Sequence, residues 1–237
     1  MLNENILLVG TSGVLISLEI FNIRKHYLSV NSRLIKNHFS FLLLITVINI
    51  ALIILSLISG LYTDFFYSWA ILIGMMITLI GDFNNKSINS TTEGFILGTI
   101  IFLFVYLSYT IGLIYTSGEV ILPFDFIIIT SLILSYIYLV KSSWGCNYFQ
   151  KSGRYKIIIN LYPIMLLFLL SLAISNFFQS TLSQFSVFMV TIGIILIFII
   201  DMEYSFDKFF HPLNHLIGPI LYPLGQLAIV LSTINLF

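Results

Sequence analysis

Charge is scarce in this sequence: only 8% of its 237 residues are Asp, Glu, Lys or Arg, while 59% are hydrophobic. Ordinary soluble domains carry roughly 25% charged residues, so a water-facing surface could not be covered. The ten basic and ten acidic side chains cancel, which removes electrostatic recruitment of nucleic acid or of a strongly acidic partner. A single cysteine, Cys146, excludes an intrachain disulfide and any metal site built from several thiolates. No phosphate loop, dinucleotide fingerprint, HExxH or GxSxG pattern occurs, so neither nucleotide-driven chemistry nor a cofactor is implied. The amino-terminal stretch has no basic run before its apolar part and no small-residue cleavage site after it, so a retained first span is expected.

What the chain has in abundance is apolar runs of about 20 residues, the length a helix needs to cross the hydrocarbon. Eight helices are expected, near residues 4–23, 39–60, 65–82, 94–115, 120–140, 156–175, 183–201 and 214–235. The third and seventh are short, and each closes on a carboxylate, Asp82 or Asp201. The only long polar break, residues 141–155, is too small to be a domain. The expectation is therefore an all-α transmembrane bundle forming one membrane domain over residues 1–237.

All ten basic residues fall on one face of this layout. Arg24, Lys25, Arg33 and Lys36 lie in or beside the first loop, Lys86 in the third, Lys141, Lys151, Arg154 and Lys156 around the fifth, and Lys208 in the seventh. The positive-inside rule then places both termini outside the cytoplasm. A cysteine introduced at residues 151–155 should be labelled from the cytoplasmic side; labelling from outside would reverse the orientation. Helices one to four and five to eight would share orientation, as two parallel four-helix halves would, and the third helix of each half ends in a carboxylate.

Asp82 and Asp201 are the leading candidates for chemistry. Both would sit at the cytoplasmic ends of like-oriented helices, where an ionised side chain is costly unless hydrated or paired and the helix end adds an unfavourable dipole interaction. Two carboxylates in one partly dry pocket titrate separately, leaving one protonated and one ionised near neutral pH, as a general acid and base require. The plainer alternative is that Asp82 turns the loop after its helix and Asp201 opens the next loop.

Other polar groups have weaker claims. Glu19 sits about a turn before the first basic loop and can pair with Arg24 or Lys25, and Asp125 lies near the outer end of its span, where snorkelling to water is cheap. Tyr106 and Tyr109 share a helix face, as do Tyr222 and Gln226 around Pro223. Tyr162 is a further intramembrane phenol, and interface anchoring or packing accounts for most tyrosines in such a chain. Gln226 is a sharper case, because an amide in hydrocarbon needs a partner. His26 and His38 border the first basic loop; His211 and His215, four apart, have no third ligand at a familiar spacing, so no metal site is expected.

Several of these residues carry a resemblance to the YhhN family of membrane proteins. It runs through Gly81 and Asp82, then Phe95, Gly98, Phe102 and Tyr109, then Asp201, Asp207, Lys208 and Phe209, and finally Tyr222 and Gln226. These blocks cover about residues 71–112 and 191–232. The family is described as having eight transmembrane helices, and its characterised members are lysoplasmalogenases. The resemblance therefore implies hydrolysis of the vinyl-ether bond of a lysophospholipid in a bacterial inner membrane. Asp82 and Asp201 would be catalytic, and Tyr106, Tyr109, Tyr222 and Gln226 would order the water or head group.

The chain departs from the family at two places: Tyr106 stands where a His is usual, and Ile200 where a Ser precedes the second Asp. A phenol donates a hydrogen bond but, with a reference pKa of about 10, is a poor base at neutral pH. If that His is catalytic in the family, turnover here would be slow, redirected to another substrate, or lost. Two other classes fit the same sequence, namely a lipid or small-molecule carrier that uses the carboxylates for proton coupling or head-group binding, and a structural relative without chemistry.

Overall fold

A computed structural model describes residues 38–88, 92–117, 156–209 and 218–235. Within them the chain forms six helices: α1 (His38–Ser59), α2 (Phe65–Ile88), α3 (Thr92–Thr116), α4 (Lys156–Gln179), α5 (Gln184–Phe209) and α6 (Gly218–Leu231). They coincide with six of the eight expected spans; the spans expected at 4–23 and 120–140 lie outside the described residues. Four segments are long and apolar enough to cross a membrane, Phe65–Asp82, Ile96–Thr116, Leu161–Phe178 and Gln184–Asp201. No strand occurs among the described residues, although Tyr62 and Ile234 form an isolated antiparallel backbone pairing.

The distribution of polarity is that of a chain solvated by lipid. Large apolar side chains face outward along α2 at Phe65, Trp69, Ile73, Met76 and Ile80, and along α3 at Phe104, Leu107, Ile111 and Ile114. Their three- and four-residue spacing marks one helix face. The interior, by contrast, holds Thr46, Asn49, Ser68, Thr78, Ser171 and Asn176 beside aliphatic residues such as Ile71, Leu166 and Val190. Hydrocarbon offers no hydrogen bonds, so these polar groups turn inward, where most find one another or backbone carbonyls, Asn49 Oδ1 and Thr110 Oγ1 being exceptions. Ser108 on α3 donates to the Ala70 carbonyl of α2 at 2.6 Å, and Asn176 on α4 donates to Leu172 O at 2.8 Å.

Principal contacts run from each helix to the next in order, and α6 closes against α1. The tightest pairs are α2 with α3 and α5 with α6, where small residues let the backbones approach. A Cβ on Gly193 would lie 2.7 Å from Gly225 O, and one on Gly74 would lie 2.2 Å from the Tyr109 ring. Gly74 and Gly193 each precede the carboxylate of their helix, Asp82 or Asp201, by eight residues.

Capping repeats the correspondence. Asp64 Oδ1 accepts the Tyr67 amide at 2.8 Å, and Ser183 Oγ accepts the Ser186 amide at 3.2 Å, satisfying a free N–H at the start of α2 and of α5. Each cap lies eighteen residues before Asp82 or Asp201. That is about 27 Å of helix, so both carboxylates sit almost one hydrocarbon thickness from the capped end. At the capped end, the connection before α2 pairs with the chain leaving α6 through Thr63 N and Thr233 O at 3.0 Å. The connection before α5 pairs with the end of α3 through Thr181 N and Thr116 O at 3.0 Å.

One expectation is corrected. α2 and α5 do not stop at their carboxylates but continue to Ile88 and Phe209. Asp82 and Asp201 are thus helical residues rather than loop openers, and the terminal dipole penalty, which fades within the last turn, does not reach them. The polar residues after each Asp break the hydrophobic run without breaking the helix.

Candidate active site

The site begins with Asp82 on α2, which is 2% exposed. Thr46 on α1 reaches across and donates its hydroxyl to Asp82 Oδ2 at 2.7 Å, while Tyr222 on α6 donates to Oδ1 at 3.3 Å. Thr46 Oγ1 is also 3.4 Å from Gln226 Oε1, and Asn49 Nδ2 lies 3.5 Å from the same oxygen. Thr46 and Asn49 are three apart on α1, and Tyr222 and Gln226 four apart on α6, so each pair presents one face. The carbonyl oxygen of the buried Gln226 amide therefore faces two donor groups.

Asp201 on α5 has a parallel set of partners and is only partly buried. Tyr106 on α3 and Tyr162 on α4 both donate to Asp201 Oδ2, the latter at 2.7 Å. The two phenol oxygens are 3.1 Å apart, and the ring centroids 5.5 Å. Phe102 stacks against Tyr106 on the other side with centroids 6.4 Å apart, and it also lies 3.5 Å from where a Cβ on Gly81 would sit. The Gly81, Phe102 and Tyr106 positions thus form one packing unit between α2 and α3.

Tyr222 belongs to the Asp82 set through its hydrogen bond to Oδ1, and the two sets together form a belt of polar side chains. All six described helices contribute to this belt. Of the residues expected from sequence, it gathers Asp82, Asp201, Tyr106, Tyr222 and Gln226. Tyr109 is buried beside Gly74, and among the described residues no hydrogen bond joins it to either carboxylate. Glu19, Asp125, His26, His211 and His215 lie outside the described residues. Among the described residues no three His, Cys, Asp or Glu side chains gather as metal ligands.

Thr46, Asn49 and Tyr162 were not singled out as site residues by sequence reasoning. For Tyr162 a signal exists: the tripeptide Leu161-Tyr162-Pro163 recurs as Leu221-Tyr222-Pro223, and each tyrosine donates to one of the two carboxylates. Thr46 has no such mark, being one hydroxyl in an apolar helix.

An α-helical bundle with lipid-facing apolar surfaces and two carboxylates, each accepting from hydroxyl donors on two neighbouring helices, defines an integral membrane protein. The chain matches the YhhN family over residues 39–233, and it belongs to that family. No curated protein and no solved structure matches it.

Proposed function

We propose that this protein hydrolyses the vinyl-ether bond of a lysoplasmalogen, releasing a fatty aldehyde and the glycerophospho-head-group product. The observation that carries this reading is the pair Asp82 and Asp201, each eighteen residues past the cap of its helix and each accepting from hydroxyl donors on two neighbouring helices. A vinyl ether is hydrolysed by proton transfer to its β-carbon, which gives an oxocarbenium ion that water attacks. That sequence needs a carboxylic acid, a negative charge near the cation and a positioned water. The helix-lined setting suits a lipid whose chain stays in apolar surroundings.

The matched caps, glycines and carboxylates support two parallel halves, each supplying one Asp. The reading also places the chain in a bacterial inner membrane, as one domain with both termini outside the cytoplasm. Tyr106 acts as a hydrogen-bond donor to Asp201, the service that Tyr222 gives Asp82, so a phenol in place of His is compatible with turnover.

Purified protein in detergent is expected to convert lysoplasmalogen to free aldehyde, measured by aldehyde capture and mass spectrometry. Redistribution of the lipid across vesicle bilayers without bond cleavage would instead identify a carrier and overturn the proposal.

A further inference from the structure

The two carboxylates are held in different ways, and the difference assigns their roles. At Asp201 both phenol protons point to Oδ2. Oδ1 accepts no hydrogen bond among the described residues, and the side chain is partly exposed. An acceptor with one oxygen held by two phenols and the other without a donor among the described residues is arranged to take a proton from a water molecule.

Asp82, by contrast, is 2% exposed and has a partner on each oxygen, Thr46 at Oδ2 and Tyr222 at Oδ1. Thr46 has a single hydroxyl proton, with Asp82 Oδ2 at 2.7 Å and Gln226 Oε1 at 3.4 Å. By turning that proton toward Gln226, Thr46 becomes an acceptor for an O–H on Asp82. The enclosed chain Asp82–Thr46–Gln226 thus accommodates a neutral carboxyl, the form that hydrocarbon burial tolerates.

We propose that Asp82 is the proton donor and Asp201 the base, with Thr46 and Tyr162 as the residues that position them. For the chemistry this rests on the vinyl-ether reading. The Asp82 proton passes to the β-carbon as the carbon–carbon π pair forms the new C–H bond, leaving the cation shared between the α-carbon and the ether oxygen. Water attacks the α-carbon and loses a proton to Asp201 Oδ1, giving a hemiacetal. In the collapse, Asp201 returns that proton to the departing glycerol oxygen as the carbon–oxygen bond breaks. Asp82 takes the hemiacetal hydroxyl proton, so the aldehyde forms and both carboxyl groups regain their starting states.

Infrared spectroscopy of the full chain tests the assignment without relying on turnover. At neutral pH a protonated-carboxyl C=O stretch is expected that disappears in Asp82→Asn, shifts in Thr46→Val and is unmoved in Tyr162→Phe. Tyr162→Phe should shift a carboxylate stretch instead. A band that survives Asp82→Asn, that moves with Tyr162→Phe rather than Thr46→Val, or that is absent from the wild type would overturn the assignment. In lysoplasmalogen assays Tyr162→Phe is expected to lower kcat by about 10- to 100-fold, the loss of one hydrogen bond to a charged group, with KM unchanged. It should move the ascending limb of the pH profile, and Thr46→Val the descending limb; the opposite pairing overturns the roles. Failure to cleave lysoplasmalogen, with the infrared pattern as expected, would sink the substrate reading and leave the division of protons standing.

Discussion

Replacement of Asp82 or Asp201 by Asn is expected to lower lysoplasmalogen turnover by about 10²–10⁴-fold, the range contributed by a positioned proton donor or acceptor. Asn preserves the size of the side chain and keeps one oxygen able to accept from Thr46 or Tyr162, but it neither donates an acidic proton nor takes one. Folding should survive, since no ion pair among the described residues depends on either carboxylate and an amide is less costly than an ion in hydrocarbon. The measurement is single-turnover aldehyde release by each variant, alongside size-exclusion and thermal-unfolding controls. Near wild-type rates when chemistry is limiting would remove the carboxylates from the mechanism.

The second large effect is expected at the α5–α6 contact. A Cβ at Gly193 would sit 2.6 Å from Ile229 Cγ1, 2.7 Å from Gly225 O and 3.0 Å from Ile229 N. Two of those three atoms are backbone, so no rotamer change relieves the overlap, and the helices must separate. Gly193→Ala should destabilise by about 1–3 kcal/mol, as overpacked cores do, and Gly193→Val by more. Thermal unfolding in detergent reads the change directly. Because α6 carries Tyr222 and Gln226, any folded Gly193→Val should also lose turnover. Gly60 provides the comparison: it is exposed, its φ is 73°, and an added Cβ there meets nothing within 4 Å. Gly60→Ala should cost about 1 kcal/mol through backbone strain alone. Equal stability of Gly193→Val and wild type would refute the close approach of α5 and α6.

The carboxylates and the helix count over the described segments were legible in sequence because hydrocarbon makes both conspicuous. Asp82 and Asp201 interrupt long apolar runs, and an amide such as Gln226 stands out for the same reason. The ends of α2 and α5 were not legible, since the end of an apolar run marks where lipid ends rather than where a helix ends. Past Asp82 and Asp201 the polar residues keep helical hydrogen bonding while leaving the hydrocarbon. Thr46 was invisible for a different reason. A hydroxyl in a transmembrane helix can satisfy itself on its own backbone, as Thr78 does on Gly74 O at 3.0 Å, so its presence alone announces no partner. Only the approach of α1 to α2 and α6 reveals that Thr46 lies within hydrogen-bond distance of both Asp82 and Gln226.

The inward turn of the polar side chains has a consequence for how this sequence can drift. In water-soluble proteins the interior is apolar and the surface is free to vary among polar residues. Here Ile58, Phe65, Met76 and Phe104 point outward from the bundle, where in hydrocarbon one bulky apolar side chain serves as well as another. A saturation mutagenesis screen should therefore find exchanges among Leu, Ile, Val and Phe almost silent at those sites. It should find the hydroxyls and amides at Thr46, Asn49, Tyr162 and Gln226 intolerant even of isosteric replacement. Read by its tolerance map, the chain would look like a soluble protein turned inside out, with its identity written in the few polar letters it holds.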